Sequence, residues 1–507
     1  MAASEDTPRT TPSQTVLCFD GTGNTFRADG TETNVLRICR MVARSDHQLV
    51  YYQPGIGTEI TAGSLAATTL KKSSRLGKSK TLSQALGKSF DKHVLGGYRF
   101  LMRHCRSDSH IYIFGFSRGA YTARFLAEML DYTGLLGPDN EEMIPFIWEA
   151  FSRWKLARFN NTSEKRRAFD FMRQCRETLC RPVQQVKFLG LFDTVNSVTD
   201  FEINNIISST AQVTRHAVSI DERRVKFQPV LLGENLKNRG KDKKPYEHTM
   251  LTEKQKEEAS VLPGESVSHA VPTGETSTTK SSGEDDSEHV DLLEVWFPGG
   301  HADIGGGFQK VEGEQWQLSH APLVWMVQEA RRAGLDFDEK KLHQFKCIED
   351  DAPTDGCDPD EGEMRFVPAL LRSSEDGRLH DRLQFGQGFS VPSVLVWRLM
   401  EYIPIRRAEL QQDGRWELIR WKLHRGRVRD IPLDAWIHVS AIRRMKADKN
   451  YRPGNLIVGG GGRGTRRAPE EAGIGEWVVD THAEDPVREL YVRKLARHMR
   501  DQAARVN

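Results

Sequence analysis

The sequence predicts an α/β fold in which a doubly wound, mainly parallel sheet carries helices on both faces. Short runs of Val, Ile, Leu and Phe recur without polar alternation, as expected of strands that are buried on both sides. Longer stretches with helical periodicity lie between these runs. Strands that alternate with helices along a chain favour a parallel sheet with crossover helices.

The predicted elements follow in chain order. The apolar runs predict strands at residues 16–20, 49–53, 111–115, 186–193 and 292–298. Apolar residues at spacings of three and four predict helices at residues 34–43, 82–105, 119–136 and 210–220. Beyond these we expect a helix at 394–402, a hairpin that pairs 416–423 with 428–431, and a final helix that Pro486 opens.

Composition divides the chain into three predicted regions. Residues 1–14 are polar and rich in Thr and Pro, which predicts a disordered N-terminus. We expect one large domain over residues 15–337 and a C-terminal extension that packs on it over residues 338–507. Within the large domain, residues 238–289 are charged and rich in Ser and Thr. They predict a disordered insertion, because they cannot bury enough apolar surface to offset the entropy lost on ordering.

The charge balance argues against a nucleic-acid partner. The chain has 72 Lys and Arg residues against 70 Asp and Glu residues, whereas phosphate binding needs a concentrated basic field. One local cluster is basic but lacks interleaved aromatic residues: Lys71, Lys72, Arg75, Lys78 and Lys80. We interpret it as a solvated surface, with contact to anionic lipid or phosphate as the alternative.

Other features point to a soluble cytoplasmic protein without a cofactor. The N-terminal segment lacks the charged and apolar regions of a secretory signal, and no apolar run approaches the roughly 20 residues that cross a bilayer. The seven cysteines form no CxxC pair and no Cys/His zinc spacing, so we expect no metal. The glycine run at 459–462 lacks the ending of a phosphate-binding loop, so we expect no nucleotide.

The most specific motif is a nucleophile elbow at Ser117. Gly115-Phe116-Ser117-Arg118-Gly119 has the form G-x-S-x-G, directly after an apolar strand and directly before a helical pattern. At such an elbow the serine hydroxyl projects away from the sheet, while strand and helix pass so closely that only Gly115 and Gly119 fit. The alternative is a tight turn in which the serine merely caps a helix.

A serine nucleophile needs a base and a group that orients the base. His301 follows the predicted strand at 292–298 within a glycine-rich turn, which would allow its ring to reach Ser117. His438 is the reserve candidate, although a helix start is the plainer interpretation of this residue. Asp193 ends another predicted strand and is the preferred acid, with Asp303 and Asp221 as alternatives. Asp303 could instead hold the turn, and Asp221 could belong to an ion-pair network with its neighbours.

The loop after the first strand is the candidate for an oxyanion hole. We expect the backbone N–H of Arg118 as one donor and that of Gly21 or Thr22 as the other. Asp20 would hold this loop by accepting backbone hydrogen bonds. The run CFDGT also resembles the strand of aspartyl-phosphate phosphatases, but Cys18 stands where their nucleophilic aspartate would be.

Six motifs occur in order and carry a resemblance: FDGTGN, YQPGIGT, FGFSRGAYTAR, LFDTV, RHAVSIDERR and VWFPGGHADIGGG. The set resembles an α/β-hydrolase domain family of fungi and bacteria whose studied members include type VI secretion phospholipase effectors. The resemblance spans roughly residues 15–337 and implies an esterase triad that cleaves acyl esters of glycerophospholipids. It implies Ser117 as the nucleophile, with Asp193 and His301 as the best-placed partners.

Two functional hypotheses follow. The first is a serine esterase or lipase of the α/β-hydrolase fold, acting on a phospholipid or another ester, with peripheral contact to a membrane. The second is a non-catalytic relative that uses the scaffold to bind proteins, with the insertion as a docking segment. The acyl chain, the headgroup and the oligomeric state stay open.

Overall fold

A computed structural model describes most of the chain. The described residues are 13–55, 79–156, 162–195, 211–232, 291–308, 316–349, 366–405, 407–411, 416–419, 421, 423–459 and 465–506. Three predictions lie outside them: the disordered N-terminus up to residue 12, the basic cluster from Lys71 to Lys78, and the disordered insertion at 238–289.

A nine-stranded sheet forms the centre of the fold. Its strands, in chain order, are β1 (Gln14–Phe19), β2 (Gln48–Gln53), β3 (His110–Phe116), β6 (Phe188–Phe192), β7 (Val213–Ser219), β8 (Asp291–Phe297), β11 (Trp436–His438), β12 (Trp477–Thr481) and β13 (Leu490–Arg493). Their order across the sheet is β12-β13-β11-β8-β7-β6-β3-β1-β2. The seven strands from β11 to β2 are parallel to one another, whereas β13 is antiparallel to both of its neighbours, β11 and the edge strand β12.

Four shorter strands form two small antiparallel pairs away from this sheet. They are β4 (Leu135–Leu136) with β5 (Cys180–Arg181), and β9 (Arg407–Leu410) with β10 (Trp416–Ile419). The described helices are α1 (Asn34–Met41), α2 (Ser79–His104), α3 (Arg118–Thr133), α4 (Ile144–Leu156), α5 (Thr162–Leu179), α6 (His301–Gly305), α7 (His320–Arg332), α8 (Glu339–Gln344), α9 (Phe366–Asp376), α10 (Val391–Met400), α11 (Val439–Ala447), α12 (Gly454–Ile457) and α13 (Lys494–Val506).

Helices cover both faces of the sheet, which confirms the predicted α/β-hydrolase-like fold class. Side chains alternate between faces along each strand. Leu17 and Ile113 therefore pack in one apolar core with α2, α3 and α4, while Val16 and Tyr112 pack in a second core with α1, α7 and α9. The central strands are buried on both sides, and their continuous apolar runs made them recognisable.

One predicted helix, at residues 210–220, is wrong: Val213–Ser219 forms the central strand β7. The polar side chains in the run VTRHAVS interrupt its apolar pattern and suggested a helix. In the structure they are buried but paired, because Arg215 binds Glu329 and Asp291, and His216 Nδ1 lies 2.8 Å from Glu294 Oε2. Buried polar groups with partners allow a polar run to occupy the middle of a sheet.

Two C-terminal predictions are also wrong. Trp416–Ile419 pairs with the preceding Arg407–Leu410, not with residues 428–431. Pro486 does not open the last helix, since strand β13 intervenes and α13 begins at Lys494. In β13, Leu490 and Val492 are buried while Tyr491 and Arg493 are less so, and this alternation is typical of a strand.

The C-terminal region, residues 338–506, contributes directly to the central sheet. Strand β11 pairs in parallel with β8, and β13 joins β11 from the other side. The described residues before 233 and after 290 belong to one compact unit. In the described part of the chain no helix is both long and apolar enough to span a membrane.

Candidate active site

Ser117 occupies a strained turn between β3 and α3. Its φ of 60° and ψ of −123° lie in a region of backbone conformation where residues other than glycine are rarely found. The two flanking glycines are required by close approach of the backbone. A Cβ on Gly115 would lie 2.5 Å from the Cα of Ala120, and one on Gly119 would lie 2.3 Å from the carbonyl oxygen of Phe19. The strand-to-helix passage therefore has no room for side chains at these positions.

The sheet register brings a second predicted residue beside this elbow. In the β3–β6 pair, Phe116 lies opposite Phe192, and the Ser117 N–H donates to the Phe192 carbonyl. Asp193 follows directly and is itself anchored, because its N–H donates to the Ala217 carbonyl of β7. The φ of Asp193 is 42°, a second strained non-glycine backbone at the carboxyl edge of the sheet.

His301 reaches the same edge from β8. The chain turns through Gly299, whose φ of 113° favours glycine, and α6 begins at His301. His301 Nε2 lies 2.8 Å from Ser117 Oγ, and His301 Nδ1 lies 2.5 Å from Asp193 Oδ2. The rings of Phe116 and Phe227 pack against the imidazole at centroid distances of 4.8 Å and 4.7 Å. The structure thus brings the three predicted residues into one hydrogen-bonded chain.

These three hydrogen-bonded residues are almost completely buried: Ser117 is 4% exposed, His301 5% and Asp193 0%. Burial would raise the pKa of the Asp193 carboxyl, but Arg429 and His301 outweigh that effect and hold the pKa well below its usual range. Burial lowers the pKa of His301, even though Asp193 favours its charged form. At neutral pH the group therefore consists of a neutral imidazole beside an ionised carboxylate.

Two further charged side chains contact these three residues. Arg429, which is fully buried, donates from Nη1 to Asp193 Oδ1 at 2.6 Å and from Nη2 to Asp193 Oδ2 at 2.9 Å. Glu222 Oε2 accepts the backbone N–H of His301 at 3.2 Å, and Glu222 is paired with Arg224. Sequence reasoning placed Glu222 in a local ion-pair network and did not find Arg429, which lies 236 residues from Asp193 in a stretch without a motif.

The alternative acids have other partners. Asp303 Oδ2 accepts the N–H groups of Gly300 and His380, and Asp303 Oδ1 lies 2.7 Å from His380 Nδ1. Asp221 Oδ2 accepts the Gly299 N–H and the Tyr451 hydroxyl. Both carboxylates therefore hold the turn that carries His301 without contacting its ring.

The reserve base is used elsewhere. His438 caps α11, where its ring accepts the Ser440 N–H, and its Nε2 lies 2.8 Å from the Val487 carbonyl. Burial lowers the pKa of His438 to about 3, so it is neutral at physiological pH. These contacts match the helix start that was the plainer interpretation.

The loop after β1 lies beside the elbow. Asp20 Oδ2 accepts the hydroxyls of Thr33 and Tyr52, while Asp20 Oδ1 accepts the Gly21 N–H at 2.6 Å. Burial raises the pKa of Asp20 to about 6, although these hydrogen bonds oppose it. Asp20 therefore fixes the loop, and the Gly21 N–H is already engaged.

No metal site accompanies this arrangement in the part of the chain that the structure describes. Among the described residues, no cluster of three or more His, Cys, Asp or Glu side chains is arranged so that it could hold a metal ion.

Comparison with known proteins adds a relative and a family. Residues 13–329 match the family described as the catalytic domain of Tle1-like phospholipase effectors of the type VI secretion system. The chain is also 26% identical, over 555 aligned positions, to the uncharacterised protein YEL023C of Saccharomyces cerevisiae. That alignment covers 87% of this chain and 80% of the yeast protein.

Two solved structures are similar at lower identity. An uncharacterised protein from Pseudomonas aeruginosa shares 18% identity at a TM-score of 0.31, covering 64% of this chain and 46% of its own. The Tle1 effector bound to the VgrG spike of the type VI secretion system shares 17% identity at a TM-score of 0.27, covering 59% and 52%. The chain spans about half the length of each. Because the family match covers more than half of the sequence, the chain belongs to the Tle1-like phospholipase effector catalytic-domain family.

Proposed function

We propose that this chain is a serine hydrolase that cleaves carboxylic esters, with phospholipids or other lipid acyl esters as its substrates. The observation that carries the proposal is the continuous contact from Ser117 Oγ to His301 Nε2 to Asp193 Oδ2. Family membership supports a lipid ester as the substrate class. The strained elbow supports the role of Ser117, since such strain is typical of a positioned nucleophile.

The proposed reaction follows from these contacts. The Ser117 hydroxyl donates to His301 Nε2 and passes it the proton as Oγ attacks the ester carbonyl. His301 Nδ1–H donates to Asp193, which keeps the ring in the tautomer that leaves Nε2 able to accept. The imidazolium then protonates the leaving alcohol. Water, activated by the same imidazole, hydrolyses the acyl-serine.

Two backbone N–H groups would stabilise the tetrahedral oxyanion. Arg118 is the first residue of α3, so its N–H has no acceptor within the helix and adjoins the positive end of the helix dipole. The Gly21 N–H donates to Asp20, so we assign the second donor to Thr22. Loss of one such donor typically raises the barrier by about 2.7–4 kcal/mol.

We further propose that an apolar surface on α10 makes peripheral contact with an anionic membrane. Six apolar side chains on α10 and in the turn that follows it are 48% to 69% exposed: Val391, Leu395, Val396, Leu399, Tyr402 and Ile403. A cluster of this kind is unusual for a surface that faces only water. Between Arg382 and Arg407 the single acidic residue is Glu401, which is buried, while Arg398 is exposed on the same helix. Apolar and cationic character together match an anionic lipid surface.

The α10 surface lies close to the proposed catalytic base. The Trp397 ring on the other side of α10 packs on Phe227 at a centroid distance of 5.6 Å, and Phe227 packs on His301. Two aromatic rings thus connect this helix with the imidazole. A lipid surface bound at α10 would therefore present its esters beside the site.

Labelling of Ser117 tests the proposed function. A fluorophosphonate probe should label the wild-type protein, and Ser117→Ala should abolish labelling and lower kcat on p-nitrophenyl esters by roughly 10⁴–10⁶. Ser374→Ala is a matched control, because Ser374 is also buried but its hydroxyl donates to a helix carbonyl in α9. A wild type that neither labels nor turns over esters or phospholipid vesicles would favour the non-catalytic scaffold.

A further inference from the structure

The Asp193 carboxylate is held by more donors than the imidazole alone. Oδ2 accepts from His301 Nδ1 and from Arg429 Nη2, while Oδ1 accepts from Arg429 Nη1 and from the Ser219 N–H at 2.9 Å. The two parallel Arg429 bonds form a planar fork, which fixes the plane of a carboxylate as well as its position. The orientation of Asp193 toward the His301 ring is therefore set by Arg429 and the Ser219 N–H as well as by the ring itself.

Arg429 is itself rigidly placed. Nη1 also donates to the carbonyl and the hydroxyl of Ser219, and Nη2 donates to the Phe227 carbonyl. Its own carbonyl accepts Asn455 Nδ2, which also bonds to the Ile220 carbonyl. The guanidinium is thus hydrogen-bonded to Ser219 at the end of β7 and to the backbone of Phe227, whose ring packs on His301. Arg429 lies outside the matched family range of residues 13–329.

Charged groups of both signs surround His301. They are Asp193 at the end of β6, Glu222 and Arg224 after β7, Arg429 on Asp193, and the bonded pair of Asp303 in α6 with His380. Asp193 and Glu222 favour a charged imidazole, whereas Arg224 opposes it. Because the Arg429 cation neutralises Asp193, the aspartate alone offsets less of the charge that the ring gains on accepting a proton.

Glu222 is placed to supply the rest of that compensation. Its Oε2 accepts the backbone N–H of His301, and burial, which would favour protonation, is outweighed by Arg224, so its pKa is about 2. It is therefore ionised whenever His301 can act as a base. Glu222 also contacts Arg224 through both oxygens, which keeps the carboxylate in one orientation.

We propose that Arg429 is a positioning residue that holds Asp193 in line with His301, and that Glu222 shares with Asp193 the compensation of the charge that His301 gains. This inference rests on the proposed function and extends its site into the C-terminal region. Arg429 supplies orientation while cancelling part of the aspartate charge. Glu222 outweighs its partner Arg224 at the ring and so adds negative charge from the backbone side of His301.

The pH dependence of kcat/KM on a soluble p-nitrophenyl ester tests both roles. Only neutral His301 accepts the serine proton, so kcat/KM falls as the pH drops through the pKa of the free enzyme's base. Arg429→Met removes a cation and should move this acid limb to higher pH by about half a unit or more. Glu222→Gln removes an anion and should move it to lower pH. Arg429→Met should also lower kcat by about 10², because Asp193 loses its fixed plane.

Two further variants separate orientation, charge and fold. Arg429→Lys keeps the charge but not the fork, so kcat should fall while the acid limb stays near its wild-type position. Arg215→Met is the matched control, because Arg215 is also buried and paired with two carboxylates, Glu329 and Asp291, that do not contact the site. It should lower thermal stability and leave the pH profile unchanged. The lysine and Glu222→Gln variants keep the inference testable if Arg429→Met does not fold.

The outcomes distinguish this inference from the proposed function. A wild type without Ser117-dependent turnover would overturn the proposed function, and the inference with it. An active wild type whose acid limb stays in place in both Arg429→Met and Glu222→Gln would overturn the inference alone. A shift of the same size in Arg215→Met would also overturn it, because the effect would then not be local to His301.

Discussion

The two parts of the molecule carry their candidate functional residues in different ways. Up to residue 337, Ser117 and Asp193 stand directly after β3 and β6, and His301 follows β8 after a turn of three residues. All three lie within the motifs that mark them. The C-terminal region has no comparable motif. Nevertheless it completes the sheet through β11 and β13, places Arg429 on Asp193, and exposes the apolar side of α10.

The difference separates two kinds of information in the sequence. The carboxyl ends of parallel strands meet at one edge, so a motif that follows a strand predicts both its chemistry and its location. A residue that reaches the same edge from a distant loop has no neighbouring motif that would indicate its location. The positions of Ser117, Asp193 and His301 could therefore be predicted from short motifs, whereas the contact of Arg429 with Asp193 is apparent only in the structure.

The largest test of this comparison is the identity of the acid. Asp193→Asn should lower kcat by about 10⁴, because an amide at this position favours the wrong tautomer of His301. Asp303→Asn is the matched control, since it lies two residues from His301 but bonds to His380 and the Gly300 N–H. Its effect on kcat should be far smaller. Steady-state kinetics on a p-nitrophenyl ester measures both, and a larger loss in Asp303→Asn would reverse the assignment.

The predictability of the fold followed the same division. Five strands of the large sheet could be recognised from their apolar runs, and those of β1, β3 and β6 are buried on both faces. Strand β7 could not, because the pairing of Arg215 and His216 with distant carboxylates is invisible along the chain. The predicted hairpin at 416–431 was wrong because β10 pairs with β9, which precedes β10 in the sequence.

The site shows the limit more sharply. The strained turn at Ser117 was predictable because an elbow requires glycine at two fixed offsets, and Gly115 and Gly119 satisfy this requirement. Asp193 was the preferred acid, but Asp303 and Asp221 stayed open as alternatives. Spacing cannot tell which carboxylate meets the ring and which ones hold its turn.

A second prediction tests the packing of the elbow. In Gly119→Ala the added Cβ would lie 2.3 Å from the carbonyl oxygen of Phe19 and 2.5 Å from that of Asp20, so the backbone must move. We expect a loss of about 1–3 kcal/mol in the free energy of unfolding and a fall of about 10² in kcat as Ser117 shifts. Gly137→Ala is the control, with its nearest neighbour at 3.5 Å. Thermal unfolding and kinetics measure both, and equal effects in the two variants would exclude an elbow-specific requirement.

The smallest expected effect concerns the C-terminal surface. Leu399 is 69% exposed on α10, and Leu399→Asp replaces an apolar side chain by a charge that anionic lipid repels. Burial of one leucine side chain is worth roughly 1.5–3 kcal/mol, so binding to vesicles that contain phosphatidylglycerol should weaken by about tenfold or more. Cosedimentation in a Ser117→Ala background measures binding without hydrolysis of the vesicles.

The matched control for that surface is another exposed apolar side chain, in the first half of the molecule. Phe146 on α4 is 59% exposed, and Phe146→Asp introduces the same charge away from α10. If α10 is the membrane contact, Phe146→Asp should bind vesicles like its parent, and sodium chloride should weaken binding by screening cations such as Arg398. Equal losses in the two variants would show that binding does not depend on α10. Vesicle binding would then give the C-terminal region no role beyond the sheet and Arg429.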